Sequence, residues 1–205
     1  YNIADDKKAG ALLKEAGYRT LASNAYKPNF FNAIKAYTGI GFAEAYFPIE
    51  YASQRNSYIS AAEVPPGEQY LFDGELFAQN LDFIGKAVQE NPGRPILNYV
   101  LSMYGHFPHT MDPQLRPRVL SMKAKYRDEQ LLLAANQHYY RTEAIAAYVR
   151  KLSELDPKSL IVLISDHLPP LEDGTGSYKR LGYLANIEDS TFYNRILVVE
   201  DEAAI

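Results

Sequence analysis

Residues Ser159–Pro170 read SLIVLISDHLPP. Ile161, Val162 and Ile164 are β-branched and the apolar run is unbroken, which suits an extended chain buried on both faces. Asp156-Pro157 closes the helical segment that leads into it. The run turns polar at Asp166-His167. Open α/β sheets bind ligands at the carboxyl ends of their strands, and a carboxylate beside an imidazole supplies two donors for a transition metal. The alternative for this pair is a surface turn in which Asp166 caps the following segment.

Working outward, Pro95–Met103 is a second strand, with Ile96, Leu97, Tyr99, Val100, Leu101 and Met103 nearly continuous. It runs into Tyr104-Gly105-His106-Phe107-Pro108-His109. From Gln130 to Leu155 apolar residues recur at three and four, the helical period. Strand, helix and strand therefore predict a βαβ unit with a right-handed crossover and parallel strands, placing His106 and Asp166-His167 on one sheet edge. Of the four histidines, His106 and His109 follow the first of these strands and His167 the second, while His138 falls in the helix.

Upstream, Asp5–Ala16 reads as a helix stopped by Gly17, and Tyr18–Ser23 as a strand. Asn29 is placed to cap a short helix that aligns Phe30, Ile34 and Tyr37 and ends at Gly39–Gly41. Phe47–Gly67 reads as a long loop. Asp73 reads as the cap of a helix with Phe77, Leu81, Ile84 and Val88 inward. Met111–Arg118 reads as irregular, Leu168–Asn186 as loop-rich, and Arg195–Val199 as a last strand. The simplest account is one domain, residues 1–205.

Composition narrows the function classes. The chain has 205 residues, 47% hydrophobic and 22% charged, enough for a full core. A net charge of −4 gives no general electrostatic reason to bind nucleic acid. Within these residues the absence of cysteine excludes disulfides, thiolate zinc sites and a cysteine nucleophile. No G-x-S-x-G, P-loop, G-x-G-x-x-G or H-E-x-x-H motif occurs. No apolar run reaches membrane-spanning length. The sequence opens at Tyr1 rather than methionine, and the expectation is a piece of a longer chain.

Four blocks, in order through most of the chain, resemble one family. LIVLISDHLPPL resembles the metal-binding SDH or GDH segment of the alkaline phosphatase superfamily. The nearer likeness is to its sulfatase-like branch, which holds lipoteichoic acid synthases and phosphoglycerol and phosphoethanolamine transferases. NYVLSMYGHFPH is similar to that branch's strand and (N/G)HFP loop, and NQHYYRTEAIAAYVRKL to its helix before the SDH strand. AGYRTLASNAYKPNFFNAIKAYTGIGFAEAYF resembles its G-Y segment, aromatic-Asn motif and G-F-(D/E)-x-x-(F/Y) turn.

The resemblance implies an α/β three-layer sandwich with a mostly parallel sheet, alkaline-phosphatase-like and truncated at its N-terminus. It implies that Asp166 and His167 are two ligands of one divalent metal, Mn²⁺ or Zn²⁺, and that His106 is the catalytic residue contacting the phosphate or sulfate group. His109 falls in the same loop as a further substrate-binding candidate. Asn24, Phe31 and Ala33 align with a His, Trp and Arg that hold glycerol phosphate in lipoteichoic acid synthases; Phe31 and Asn24 are thus substrate-binding candidates, while Asn24 and Ala33 depart from the glycerol-phosphate pattern. The family's acidic ligand and its Thr, Ser or Cys nucleophile lie upstream of the G-Y segment, outside these residues. Implied partners are a phospholipid or glycan headgroup, and a membrane reached through an N-terminal anchor; the implied location is extracytoplasmic. The competing expectation is a non-catalytic domain that keeps the fold and binds an envelope glycan or lipid headgroup.

Overall fold

Strand β1 (Arg19–Asn24) has a strand on each edge. The computed structural model describes residues 10, 12–48, 67–183 and 195–200. β1 pairs in parallel with β2 (Glu44–Tyr46) and with β3 (Ile96–Leu101), giving the order β2-β1-β3. The β1–β3 register runs from Arg19 opposite Ile96 to Asn24 opposite Leu101. Such parallel links need crossovers. Helix α1 (Ala33–Ile40) supplies the first and α2 (Asp73–Glu90) lies within the second.

The chain divides into two compact units, one of Tyr1–Pro65 and Tyr70–Tyr104, the other of Pro66–Gln69 and Gly105–Ile205. In the first, Ala22, Tyr37 and Phe47 form a core cluster with Ala33, Phe42 and Ala45 against it. Leu76, Phe77, Ile84 and Ala87 of α2 are buried. The inward stripe is thus one residue off the expected one in places, with Leu76 and Ala87 buried where Val88 is exposed. Asn80 lies buried on the same stripe, donating from Nδ2 to Ser23 Oγ at 2.9 Å and to Asn98 Oδ1 at 3.0 Å. A buried amide is tolerated because its polar atoms are paired. Residues 12–15 are helical, as expected for the described part of the first helix. Gly10 touches the end of α1 so closely that a Cβ would sit 2.0 Å from Ile40 O.

Two local expectations are corrected. Asn29 makes no side-chain cap; Phe30–Asn32 form a 3₁₀ turn in which Phe31 and Asn32 have positive φ, and α1 starts at Ala33. Phe72, not Asp73, occupies the cap position of α2. Asp73 is its first helical residue, buried, and accepts from Ser102 Oγ at 2.5 Å. Most of the expected loop Phe47–Gly67 lies outside the described residues.

In the second unit, helix α3 (Glu129–Leu155) is capped by Asp128, whose carboxylate accepts from Leu131 N. Strand β4 (Ile161–Ile164) pairs with β5 (Ile196–Val199) in an antiparallel register. A short helix α4 (Gly176–Arg180) lies in the stretch expected to be loop-rich. The expectation that β3 and β4 are parallel strands of one sheet, with His106 and Asp166-His167 on its edge, is corrected for the described residues: β3 lies in the sheet β2-β1-β3, and β4 pairs with β5 in a second sheet. The apolar run of β4 carried the strand assignment but not the partner, which backbone hydrogen bonds choose. Nor is β4 buried on both faces, since Val162 and Ile164 are exposed.

Candidate functional site

β4 ends at Ile164, and the backbone pairing is extended by Ser165 N donating to Arg195 O at 3.3 Å. Asp166 and His167 follow at once. Their side chains are 80% and 53% exposed, with Asp166 Oδ1 3.1 Å from His167 Nε2. His167 Nδ1 lies 3.0 Å from Leu168 O. One oxygen donor and one nitrogen donor, adjacent and open to solvent, fit two positions of a divalent-metal shell. Among the described residues no group of three or more His, Asp or Glu side chains is arranged to hold a metal ion.

Beyond this pair the chain is firmly held. Tyr178 of α4 donates from its hydroxyl to Pro169 O at 2.8 Å. Burial first, then the nearby Tyr183, Asp128 and Asp173, push the Tyr178 phenol up to about 12, so it stays a donor at neutral pH. α4 is tied to the start of α3: Ser177 Oγ donates to Asp128 Oδ2 at 2.5 Å and Arg180 Nη2 to the same oxygen at 2.6 Å. Burial pushes the Asp128 carboxyl up, but the Leu131 N–H, Ser177 and Arg180 outweigh it and leave the pKa below the usual carboxylate value.

His106 follows Gly105, whose φ of 89° is one that residues with a Cβ rarely adopt. The Arg141 guanidinium lies over that glycine, its Nη1 3.6 Å from where a Cβ would stand. His106 is exposed, with Nδ1 2.6 Å from Phe107 O. His109, three residues on, is only 4% exposed. Its Nδ1 is 2.9 Å from Gln137 Oε1 and its Nε2 3.0 Å from Pro170 O. The sequence-derived substrate-binding candidates therefore part company here, His106 facing solvent and His109 enclosed. His138 lies exposed on α3.

Asn24 and Phe31 belong to the other unit. Asn24 is buried at the end of β1, donating to Tyr37 Oη at 3.1 Å and accepting from Tyr26 N at 2.8 Å. Phe31 is 86% exposed at φ 51°, edge-on to Phe30 with ring centres 4.4 Å apart. A bulky residue at positive φ is a strained conformation.

Sequence reading missed the residues that hold these loops. Gln137 donates to Thr110 O, and Asn136 accepts from Val119 N and Leu120 N while donating to Leu120 O. Glu68 and Arg116 form a buried bidentate pair. One signal was present: Asn136 stands one turn after buried Leu132, a polar residue on an apolar stripe.

The sulfatase family model matches residues 9–197, and the chain belongs to that family. No curated protein sequence matches it. Among solved structures it is similar to the lipoteichoic acid synthase LtaP from Listeria monocytogenes, at 14% identity and a TM-score of 0.71, covering 95% of this chain and 48% of that one. A protein of the alkaline phosphatase superfamily from Vibrio parahaemolyticus matches at 15% identity and 0.65, covering 95% and 41%. The C-terminal periplasmic domain of EcEptC from Escherichia coli, in complex with Zn, matches at 15% and 0.60, covering 95% and 52%. The fold is therefore α/β and alkaline-phosphatase-like, and the chain spans about half the length of these structures.

Proposed function

We propose that residues 1–205 are part of the catalytic domain of an extracytoplasmic, metal-dependent phosphotransferase or sulfatase-like hydrolase. Its substrates are phosphodiesters or sulfate esters on cell-envelope phospholipid or glycan headgroups. The observation that carries the reading is the exposed Asp166-His167 pair at the end of β4 in a chain of the sulfatase family.

Asp166 and His167 would hold Mn²⁺ or Zn²⁺ through a carboxylate oxygen and an imidazole nitrogen, with further ligands from outside these residues. Such an ion, when bound, lowers the pKa of a hydroxyl and offsets charge on a phosphoryl or sulfuryl oxygen. His106, exposed after the Gly105 turn, would hydrogen-bond the non-bridging oxygens and serve the departing alkoxide. The nucleophile, a hydroxyl beyond these residues, would form the new ester bond as the old one breaks. In the second unit His109 would reach a ligand only by giving up the bonds described; in the first, Phe31 and Asn24 are kept as substrate-binding candidates, Phe31 as an exposed aromatic face and Asn24 only if it gives up its bonds to Tyr37 and Tyr26. An N-terminal anchor in the parent protein would bring the domain to its membrane; among the described residues no helix is long and apolar enough to cross one.

The test is metal analysis of the full-length protein with and without Asp166→Ala, alongside hydrolysis of bis(p-nitrophenyl) phosphate and p-nitrophenyl sulfate. About one metal per chain, lost in the variant together with turnover, is expected for a single-metal site. The second reading is a headgroup- or glycan-binding domain without chemistry. Headgroup binding with no metal and no turnover would replace the first reading with the second.

A further inference from the structure

The loops that carry the candidate catalytic groups are both exposed at the residues that matter and buried a short distance away. His106 is exposed; three residues later, His109 is enclosed. Asp166 and His167 are exposed; three residues after His167, the Pro170 carbonyl meets His109 Nε2 at 3.0 Å. One imidazole thus bridges the 105–110 loop and the 166–171 segment. The ring also stands beside the Gln137 side chain, with Oε1 2.9 Å from Nδ1, and edge-on to the Phe107 ring at 6.1 Å. Gln137 is itself buried and bonded to Thr110 O, so α3 holds both the ring and the backbone beside it. An enclosed polar side chain with both ring nitrogens beside oxygens is not loop filler, since an apolar side chain would fill the volume without the cost of desolvation.

We propose that His109 is a positioning residue: through its Nε2–H···O bond to Pro170 it sets the His106 loop against the Asp166-His167 segment, so that the two move as one piece. This departs from a substrate-contacting role for His109 and rests on the proposed function for its catalytic consequence. Sites held by such supporting bonds lose efficiency steeply when the support is removed, and changes in the outer shell of a metal site typically cost 10–100-fold in affinity or activity. Tyr178 holds Pro169 O from α4 and touches no part of the His106 loop in the described bonds, so it serves as a control for the 166–171 segment alone.

The experiment compares His109→Gln, His109→Asn and Tyr178→Phe in the full-length protein. A glutamine amide nitrogen stands near the place of Nε2 and keeps a donor for Pro170; an asparagine keeps only the side facing Gln137. Amide hydrogen exchange is read in 105–110 and 166–171, with Mn²⁺ and Zn²⁺ titrated by calorimetry and kcat and KM measured separately. The expected result is that His109→Asn speeds exchange in both segments together, weakens metal binding about tenfold, and lowers kcat with KM within about twofold. His109→Gln restores all of these, and Tyr178→Phe speeds exchange in 166–171 alone. Unchanged exchange in 166–171 in His109→Asn, or failure of glutamine to rescue where asparagine suffices, overturns the proposal. The exchange readout needs no metal and no turnover: if Asp166→Ala leaves metal content unchanged, the enzyme reading fails while the coupling of the loops is still decided by exchange.

Discussion

β1 reads RTLASN and β4 reads IVLI, and by apolar content β4 should be the better buried of the two. The structure has it the other way round. Thr20 to Asn24 of β1 are all buried, although three of those five side chains are polar. In β4 only Ile161 is buried, while Val162 and Ile164 are 46% and 66% exposed, and Ile196, Leu197 and Val198 of β5 are exposed beside them. β1 has a parallel neighbour on each edge and α2 clasped onto it through Asn80; β4 has the one described antiparallel neighbour. Apolar content measures what a strand can gain from burial. What encloses it is settled by neighbours far away in the chain.

The largest expected effect lies at the enclosed strand. Leu21 has no solvent exposure, so Leu21→Ala should cost about 2–5 kcal/mol through lost burial and the cavity left behind. The midpoint of urea unfolding checks this, and a loss as small as that of a surface change would break the contrast. Next comes Asn80→Ala, which removes the partner of Ser23 and Asn98 beneath the same strand. Leaving buried polar groups unsatisfied costs roughly 1–3 kcal/mol. If the variant were as stable as the parent protein, the clasp would contribute nothing to holding α2.

The elements themselves were legible. Tyr18–Ser23 and Pro95–Met103 gave β1 and β3 within one or two residues, and Gln130–Leu155 gave α3, because long periodic or β-branched runs are local signals. Pairing was not legible. Nothing in Ile161–Ile164 favours β5 over β3, since one continuous apolar strand fits either ladder. β2 escaped notice because Glu44–Tyr46 is three residues long and is made a strand only by its register with Leu21–Ser23. At the site, Asp166-His167 and His106 stood out by type and position. That His109 is enclosed where His106 is exposed could not be read from sequence, because the enclosure depends on Gln137 and Pro170, 28 and 61 residues away.

A smaller effect is expected in the second unit, at the junction of α3 and α4. Asp128 caps α3 and accepts from Ser177 and Arg180, so Asp128→Ala should cost about 1 kcal/mol, as N-cap losses do. The pH dependence follows from the direction of the shift. The folded-state pKa of Asp128 is depressed, so its ionised form contributes stability that is present above the unfolded value, near 4. That contribution is lost as pH falls through the folded pKa. Unfolding midpoints measured from pH 7 downward should therefore fall less steeply in Asp128→Asn than in the parent. An equally steep acid limb would assign it to other carboxylates.

The smallest effect is expected at the open strand, and it gives the sharpest test of what the contrast means. Ile164→Thr replaces an exposed apolar side chain by a β-branched one of similar strand preference. In the 205-residue chain, with Ile164 exposed as described, the change should stay within about 0.5 kcal/mol. The same substitution in the full-length protein asks whether this face stays open there. A loss confined to the same range would mean that β4 keeps an apolar surface facing solvent, an arrangement that marks interaction surfaces or aggregation hazards. A loss of the size expected for Leu21→Ala would mean that residues outside this chain cover β4 and make it an interior strand, as its sequence requires.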